Sequence, residues 1–355
     1  MYKKIFMSIA AVAALTLVSC SSDDLNSLSD NSSKNEAISF DGYLGRSAVA
    51  VNGSRGSVET KEKLKTDGFG VFGNYKKDDG TEFGSNWFDN VKVTYSSTDT
   101  KWTYDPVMYW LPQGHIDFLA YAPYDSKYNT RVTKDNQKLE FTVDSDIKKQ
   151  KDLLWANAKG QTKANIANTD NKVKFQFAHA LSRLGYTVKL KEAYSDATIT
   201  LTKITLAGSS DGTGKAFYTT GTIDLSKTSS AGLWTTSASD AKQKFDWFSG
   251  TQTLATTDHK NPDADYLFVI PQDFSATTAS DKLYVIVEYT IEGYNGVTTP
   301  MTNKVYKQLK QEFEQGKAYT INLTIGLTPI EFDADVTPWT DANNKNTDIN
   351  IDSWN

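Results

Sequence analysis

Residues 208–212 read Gly-Ser-Ser-Asp-Gly and match the G-x-S-x-G pattern that presents a nucleophilic serine in many hydrolases. A working nucleophile of this kind needs a strand before the turn and a helix after it. An alternating apolar pattern at residues 199–206 supplies the strand, but residues 214–225 are rich in Gly and Thr and have no helical period. The sequence therefore predicts a turn between two strands and not a catalytic Ser210.

The titratable residues show no spacing typical of a metal or catalytic centre. His115, His179 and His259 are far apart, and none pairs with another at the spacing of metal ligands. His179 shares the parity of alternating apolar neighbours, which predicts a half-buried side chain with satisfied hydrogen bonds. The closely spaced acidic residues do not form the loop of alternating oxygen ligands that binds calcium. These acidic residues are Asp78 with Asp79, Asp144 with Asp146 and Asp333 with Asp335. We expect no enzyme, no cofactor and no metal.

Cys20 is the single cysteine, and the residues before it predict that it is lipidated. Lys3 and Lys4 precede an uncharged apolar run, residues 5–18, which is shorter than the ~20 apolar residues that span a bilayer. The run ends Leu-Val-Ser-Cys, the form of a lipoprotein cleavage site, so residues 1–19 are predicted to be a lipoprotein signal peptide. Acyl chains on Cys20 would anchor the protein stably in a membrane. The alternative is an ordinary signal peptide followed by an incidental cysteine.

The composition favours an all-β protein without a nucleic-acid partner. Aromatic residues make up 12% of the chain, Thr, Val and Ile are abundant, and Gly and Ser separate the apolar runs. The net charge is −5 and the sequence contains no basic patch, so the chain lacks the electrostatic footprint of a protein that binds nucleic acid. Residues 20–36 are mostly Ser, Asn and Asp and are predicted to be a disordered tether.

Alternation of apolar and polar residues recurs along the rest of the chain and predicts short strands. A change of parity between Leu201 and Ile204 predicts a β-bulge near residues 202–203. Only residues 303–315 could be helical, with Gly316 as the stop signal.

The chain is long for a single core, and short strands separated by turns are typical of β-sandwiches. A polar stretch at residues 159–172 interrupts the strand pattern near the middle of the chain. We therefore predict an N-terminal sandwich domain over residues 37–168 and a C-terminal sandwich domain over residues 169–355.

Seven segments, taken in order behind the signal peptide, resemble the fimbrillin family of Bacteroides lipoproteins. No single segment is decisive, but the ordered set extends over about residues 36–340. The segments are GFGVF at 68–72, WTYDPVMYW at 102–110, FLAYAPY at 118–124, DLLWA at 152–156, VKFQFAHALS at 173–182, LFVIPQDF at 267–274 and GKAYTINLTIGLTPIEFDAD at 316–335.

The resemblance implies two tandem transthyretin-like, Greek-key β-sandwich domains in a subunit of a type V pilus. In that family a lipidated precursor reaches the surface of the cell outer membrane, where an Arg-specific, trypsin-like protease removes its N-terminal segment. The first strand then leaves, and a C-terminal strand of another pilin subunit enters the open groove by donor-strand exchange. The resemblance thus implies a fimbrium that supports adhesion and biofilm formation. Its implied partners are pilin subunits of the same or related type, the protease and the outer membrane.

The first strand and the loop after it supply the residues that such processing would use. Residues 37–44 alternate and are predicted to be the displaced strand, with three apolar anchors. These anchors are Ile38, Phe40 and Leu44. The predicted cleavable loop, residues 45–65, contains Arg46, which lies nearer to the strand, and Arg55 as the alternative. Every arginine matches such a protease by residue type, so the choice stays open.

Residues 347–354 also alternate polar and apolar side chains and form the candidate donor strand. Its anchors are Ile349, Ile351 and Trp354. An ordinary edge strand of the C-terminal sandwich is the other interpretation of this pattern. Stalk, anchor and tip roles all remain open, and so does the adhesion ligand.

A surface glycan-binding lipoprotein that does not assemble into pili is the alternative function. Exposed aromatic rings stack on sugars, and the chain has 8 Trp, 18 Tyr and 17 Phe. These residues are dispersed along the sequence, which favours a role in core packing over a binding face.

Overall fold

The computed structural model describes residues 36–44, 59–81, 87–133, 135–237, 239–262, 265–276, 281–327 and 333–338. Cys20, Arg46 and Arg55 lie outside these ranges, and so do Ile349, Ile351 and Trp354. What the sequence predicts for those six residues therefore stays a prediction.

Strands dominate the described residues, which confirms the all-β prediction. The strands are β1 Phe40–Leu44, β2 Phe69–Lys76, β3 Phe88–Ser96, β4 Lys101–Thr103, β5 His115–Ala122, β6 Lys138–Thr142, β7 Leu154–Gln161, β8 Val173–His179, β9 Ser182–Leu190, β10 Thr198–Ala207, β11 Phe217–Tyr218, β12 Thr220–Asp224, β13 Trp234–Thr235, β14 Lys242–Gln243, β15 Phe245–Thr253, β16 His259–Lys260, β17 Leu267–Val269, β18 Gln272–Asp273, β19 Leu283–Glu292, β20 Met301–Leu309, β21 Glu312–Phe313, β22 Ala318–Ile325 and β23 Asp333–Pro338. The helices are α1 Lys61–Asp67 and the 3₁₀ turns Ser126–Tyr128, Ile147–Lys149, Asn165–Thr169 and Tyr294–Gly296. None of the helices in the described ranges is long and apolar enough to cross a membrane.

The largest sheet has seven strands in the order β1-β8-β7-β5-β2-β3-β4. Its β1–β8 pair is parallel, whereas the other pairs are antiparallel. The remaining strands form sheets β15-β10-β19-β20, β16-β9-β22-β23 with β17 on β9, β13-β12-β6, β11-β14 and β18-β21. Strand β1 therefore stands at one end of the seven-stranded order.

The seven-stranded sheet is apolar on both faces because its side chains enter two different cores. Along β5, Phe118 and Ala120 belong to one core, whereas Leu119 and Tyr121 belong to the other. Successive side chains of a strand point to opposite faces, so a continuous apolar run is what a doubly covered strand requires. We call the core with Phe118 the first core and the core with Leu119 the second core. The first core also contains Ile38, Phe40, Leu64, Phe69, Phe88, Phe175 and Phe177.

Two local predictions had opposite outcomes. The bulge in β10 is confirmed, because the pairing register shifts between Leu201 and Lys203 against both β15 and β19. The helix at residues 303–315 is wrong, because β20 pairs with β19 from Met301 to Leu309. Cross-strand hydrogen bonds and the burial of Val305 and Leu309 outweigh the weak local preference for a helix.

Helix α1 occupies the final residues of the predicted loop at 45–65. Thr60 caps it, since the Thr60 hydroxyl accepts a hydrogen bond from the Lys63 amide at 3.2 Å. Leu64 is buried in the first core, and Gly68 ends the helix with a φ of 70°. The Thr60 cap and the buried Leu64 thus hold the chain in place before β2 begins.

The sheets continue across the predicted domain boundary at residues 168 and 169. Strand β8, which follows this boundary, pairs with β1 and β7. Strand β6, which precedes it, pairs with β12. The domain limits 37–168 and 169–355 remain a prediction.

Candidate functional site

The serine motif lies in the turn between β10 and β11. The Ser209 hydroxyl donates to Asp211 and accepts from the Gly214 amide at 2.7 Å, so it stabilises the turn itself. The turn is followed by strand β11, whereas a nucleophilic serine would need a helix there. The predicted turn between two strands is therefore confirmed. Within the described ranges, no group of three His, Cys, Asp or Glu residues could hold a metal ion.

The segment 36–44 is bound through its main chain on two sides. On one side, the Ile38 amide donates to the Met108 carbonyl at 2.8 Å, and the Trp110 amide donates to the Glu36 carbonyl at 2.9 Å. On the other side, β1 pairs with β8 in parallel, and the Val173 amide donates to the Ser39 carbonyl at 2.8 Å. We call the space between residues 108–110 and β8 the strand seat.

The side chains of Ile38 and Phe40 fill the strand seat. They are 1% and 2% exposed. The Phe40 ring contacts four aromatic rings at centroid distances of 5.3–5.6 Å. These rings belong to Phe88, Tyr104, Phe118 and Phe175. The Tyr104 hydroxyl donates to the Ile38 carbonyl at 2.7 Å, and burial raises the pKa of Tyr104 to about 12.

The far end of the strand is less buried than Ile38 and Phe40. Gly42 faces the same side as Phe40, and a Cβ there would lie 2.9 Å from Phe69 Cε1 and 3.3 Å from Phe177 Cε2. Any side chain at this position would therefore require the Phe69 ring to move. Tyr43 points outward and is 38% exposed, while the third predicted anchor, Leu44, is half-buried.

This arrangement binds an extended segment through both its main chain and its side chains. Burial of an Ile or Phe side chain stabilises by about 1.5–3 kcal/mol, and each hydrogen bond adds about 1 kcal/mol. The affinity is thus concentrated in two side chains and a few main-chain bonds at one chain segment. A row of main-chain bonds with pockets for alternate side chains is the geometry by which proteins bind an added strand.

A buried polar cluster fixes the chain where it returns from the loop after β1. The Glu59 amide donates to Asp152 Oδ2 at 2.8 Å, and the same oxygen lies 2.8 Å from His179 Nδ1. The Glu59 carboxylate pairs with Lys63 Nζ at 3.0 Å. Burial raises the pKa of Glu59 to about 8, although the positive charge of Lys63 opposes this shift. His179 is buried rather than half-buried, and it has the polar partner that its sequence position predicted.

The described arginines narrow the choice of cleavage sites. Arg183 is 1% exposed, and its guanidinium lies 4.5 Å from the centre of the Tyr266 ring. A protease cannot reach it in the folded protein. Arg131 is exposed in a turn, where its amide donates to the Tyr128 carbonyl at 3.1 Å. Burial thus excludes Arg183 but not Arg131, and cleavage at Arg46 or Arg55 stays a prediction.

The described tryptophans lack the exposure that stacking on a sugar would need. The tryptophans of the described ranges are all buried or half-buried. They are Trp87, Trp102, Trp110, Trp155, Trp234 and Trp247. Tyr104 and Phe118 instead line the strand seat, so at least part of the aromatic content serves to hold β1.

Sequence reasoning found the seated side chains but missed most of the residues that hold them. Met108 and Glu59 carry no local signal of their role, because each contributes through a contact with a distant segment. Tyr104 lies in the segment WTYDPVMYW, whose dense aromatic content was the available hint.

Comparison with known proteins gives consistent results. The family described as fimbrillin-like matches residues 57–339. The fimbrium subunit Fim1C of Phocaeicola vulgatus is 25% identical over 382 residues, which cover 96% of this chain and 97% of that protein. The crystal structure of a fimbrial protein from Bacteroides vulgatus aligns with a TM-score of 0.60 and 22% identity, covering 86% of this chain and 100% of that one. That structure shares the fold described above.

Proposed function

The chain belongs to the fimbrillin-like family, and on that premise we propose that it is a structural subunit of a cell-surface pilus that joins its neighbours by strand exchange. The observation that carries this proposal is the strand seat. A segment near the N-terminal end of the described residues is held by main-chain hydrogen bonds and by two buried side chains. A strand from a neighbouring subunit could make the same contacts.

Proteolysis after Arg46, with Arg55 as the alternative, would separate β1 from the rest of the chain. The cluster around Glu59 supports this step, because it holds the chain on the far side of both arginines. Cleavage would then free the strand without loosening α1 or β2. The open strand seat exposes apolar walls and unpaired main-chain groups, which favours the entry of another strand.

Lipidation of Cys20 would hold the precursor at the outer membrane until it is cut. Cleavage in the loop separates the lipidated segment from the body, so release from the membrane and opening of the strand seat become one event. The contact formed afterwards between two subunits is long-lived if the barrier to its opening is high, because kinetic stability depends on that barrier.

The test is assembly of the purified precursor in solution. The uncut chain is expected to be monomeric by light scattering, and an Arg-specific protease is expected to produce polymers visible by electron microscopy. A chain with both Arg46→Ala and Arg55→Ala should stay monomeric under the same treatment. If the cut wild-type chain never polymerises, or if cells with the double variant still build fibres that contain it, the proposal fails.

A further inference from the structure

A surface pocket lies where the two ends of the seven-stranded sheet approach each other. Strands β1 and β4 are the end strands of the sheet order, and both line this pocket, which has a volume of about 450 Å³. Helix α1, strand β3 and the start of β8 complete its walls. Pockets that bind small molecules have volumes of roughly 300–1,000 Å³, so this one has room for a small organic ligand.

Positive charge dominates the lining of the pocket. Five lysines line it, and Asp41 is the one acidic residue among the described lining residues. The lysines are Lys61, Lys65, Lys101, Lys172 and Lys174, and we call the pocket the lysine cleft. Ion pairs in the described part of the chain involve two of them, Lys65 with Glu62 at 3.4 Å and Lys174 with Asp170 at 3.0 Å. The cleft is therefore positive, although the chain as a whole has a net charge of −5.

The lysines stand at spacings where like charges repel each other. Lys61 and Lys65 are four residues apart on α1 and share one face of the helix, where like charges are destabilising. Lys172 immediately precedes β8 and Lys174 is its second residue, so their side chains leave the strand on the same side. Both of these lysines are half-buried, which limits screening by water and salt. A bound anion would offset the repulsion within both pairs.

Aromatic side chains form a preformed wall of the lysine cleft. Tyr95 and Trp102 line it, and their ring centroids are 5.3 Å apart in an edge-on contact. The Lys65 ammonium lies 4.9 Å from the centre of the Tyr95 ring. Trp102 in turn contacts Phe69 of the first core, with ring centroids 4.9 Å apart. Because this wall is anchored in the core, less conformational entropy is lost when a ligand binds against it.

We propose that the lysine cleft binds a small organic ligand that carries two phosphate groups. The cations come from α1, β4 and the start of β8, so two separated phosphates can contact more of them than one compact anion can. Hydrogen bonds between an ammonium and a phosphate oxygen are charge-assisted and stronger than neutral ones. The same chemistry occurs in the headgroup of a phosphorylated membrane lipid and in a soluble sugar bisphosphate. This binding does not depend on strand exchange.

Calorimetric titration of the uncut full chain, in a Cys20→Ser background, tests the site with fructose bisphosphate as the probe. We expect saturable binding that weakens as salt is added, and weaker binding of inorganic phosphate. Lys101→Gln with Lys172→Gln removes two charges from the lysine cleft and should lower the affinity about tenfold or more. The matched control is Lys148→Gln with Lys149→Gln, which removes two exposed lysines outside the cleft and should bind like the parent chain.

Asp41→Asn tests the same cleft by a gain of binding. Asp41 is the acid among the five lysines, so it repels an anionic ligand, and its removal should raise the affinity several-fold. Asp258→Asn makes the same change of charge at an exposed residue outside the cleft and should leave the affinity unchanged. Equal melting temperatures of the unliganded proteins control for folding.

Vesicle flotation identifies the source of the phosphates. The probes are phosphatidylcholine vesicles with and without a bisphosphorylated glucosamine lipid. Flotation that needs this lipid and is lost in the variant with Lys101→Gln and Lys172→Gln supports the site and assigns it to a membrane headgroup. Binding of fructose bisphosphate without flotation supports the site and assigns it to a soluble ligand.

Three results overturn the proposal. They are the absence of binding to both probes, equal affinity of the parent chain and the variant with Lys101→Gln and Lys172→Gln, and unchanged affinity of Asp41→Asn. None of them bears on strand exchange, because polymerisation of the cut chain is measured without either probe.

Discussion

Phe40 is one of the two buried side chains that fill the strand seat. Its ring contacts four aromatic rings from β3, β5, β8 and the segment before β5, so it links elements that are distant in sequence. Ile38 is equally buried. The alternation of residues 37–44 was enough to predict both anchors, because parity decides which side chains face a core.

Replacement of Phe40 by Ala is expected to loosen β1 without unfolding the rest of the protein. Truncation of a buried Phe costs about 3–5 kcal/mol, but the observed loss is limited to the free energy that holds β1 in place. After Arg-specific cleavage, the variant should therefore release its N-terminal segment at least tenfold faster than the wild type, as size-exclusion chromatography of the cut protein can measure. Tyr43→Ala, which removes an outward ring of the same strand, should release it at the wild-type rate. Equal rates for Phe40→Ala and the wild type would contradict the role of the four ring contacts.

Glu59 is expected to make the stability of the protein depend on pH. Its pKa is raised from 4.5 to about 8 by burial, so the folded state binds more protons than the unfolded state between these values. The free energy of unfolding therefore falls as the pH rises from about 5 to 8, by an amount of the order of a few kcal/mol. Lys63, Asp67 and Asp152 are the charged groups that act on Glu59.

Glu59→Gln keeps the shape of the side chain and removes its titration. Urea unfolding of both proteins at pH 5 and pH 8 measures the effect. The wild type should lose more stability than Glu59→Gln between these two values. Parallel losses in the two proteins would assign the pH dependence to other groups.

At the scale of elements, the local sequence pattern predicted features that lie within one strand. It failed where the conformation of a segment depends on pairing with another strand. The bulge in β10 was visible because a change of parity must be absorbed within one strand. The conformation of residues 303–315 was not visible, because β19 supplies the partner that makes β20 a strand. Helix α1 was missed because Leu64 is the single buried residue of its short sequence.

The junction between α1 and β2 needs glycine at residue 68. Gly68 has a φ of 70°, and a Cβ there would lie 2.5 Å from the Val93 carbonyl oxygen. We expect Gly68→Ala to lower the free energy of unfolding by about 2–4 kcal/mol, from backbone strain and from this clash. Gly80→Ala is the matched control, since Gly80 has a φ of 81° but no neighbouring atom within 4 Å. If urea unfolding shows equal losses, the contact with Val93 contributes nothing.

At the scale of the whole molecule, β1 contributes to one of the two cores and not to the other. Ile38 and Phe40 belong to the first core, and the second core contains no residue of β1. The second core includes β10 and β19, which pair along nearly their full length. Loss of β1 therefore opens one face of the seven-stranded sheet and leaves the second core covered.

The sequence revealed less at this scale than at the others. Alternation indicated strands, a sandwich class and the side chains of β1, but not which strands become neighbours. The parallel pairing of β1 with β8 joins residues more than 100 positions apart. The same holds for the contact of Ile38 with Met108 and for β8 lying beyond the predicted boundary at residue 168. Such contacts depend on the packing of the complete chain, which no local pattern encodes.

Hydrogen exchange can show whether the protein survives the loss of its first strand. A variant that lacks residues 347–355 has no candidate donor strand, so Arg-specific cleavage should leave its strand seat empty. The amides of Val173 and Trp110 donate to the Ser39 and Glu36 carbonyls, and both should lose protection once those acceptors leave. The amides of β10 and β19 should keep the protection of the uncut variant, because their partners and the second core are unchanged. Rapid exchange in β10 and β19 would mean that β1 supports the whole fold and cannot be exchanged, whereas unchanged protection at Val173 and Trp110 would mean that the cut strand stays in place.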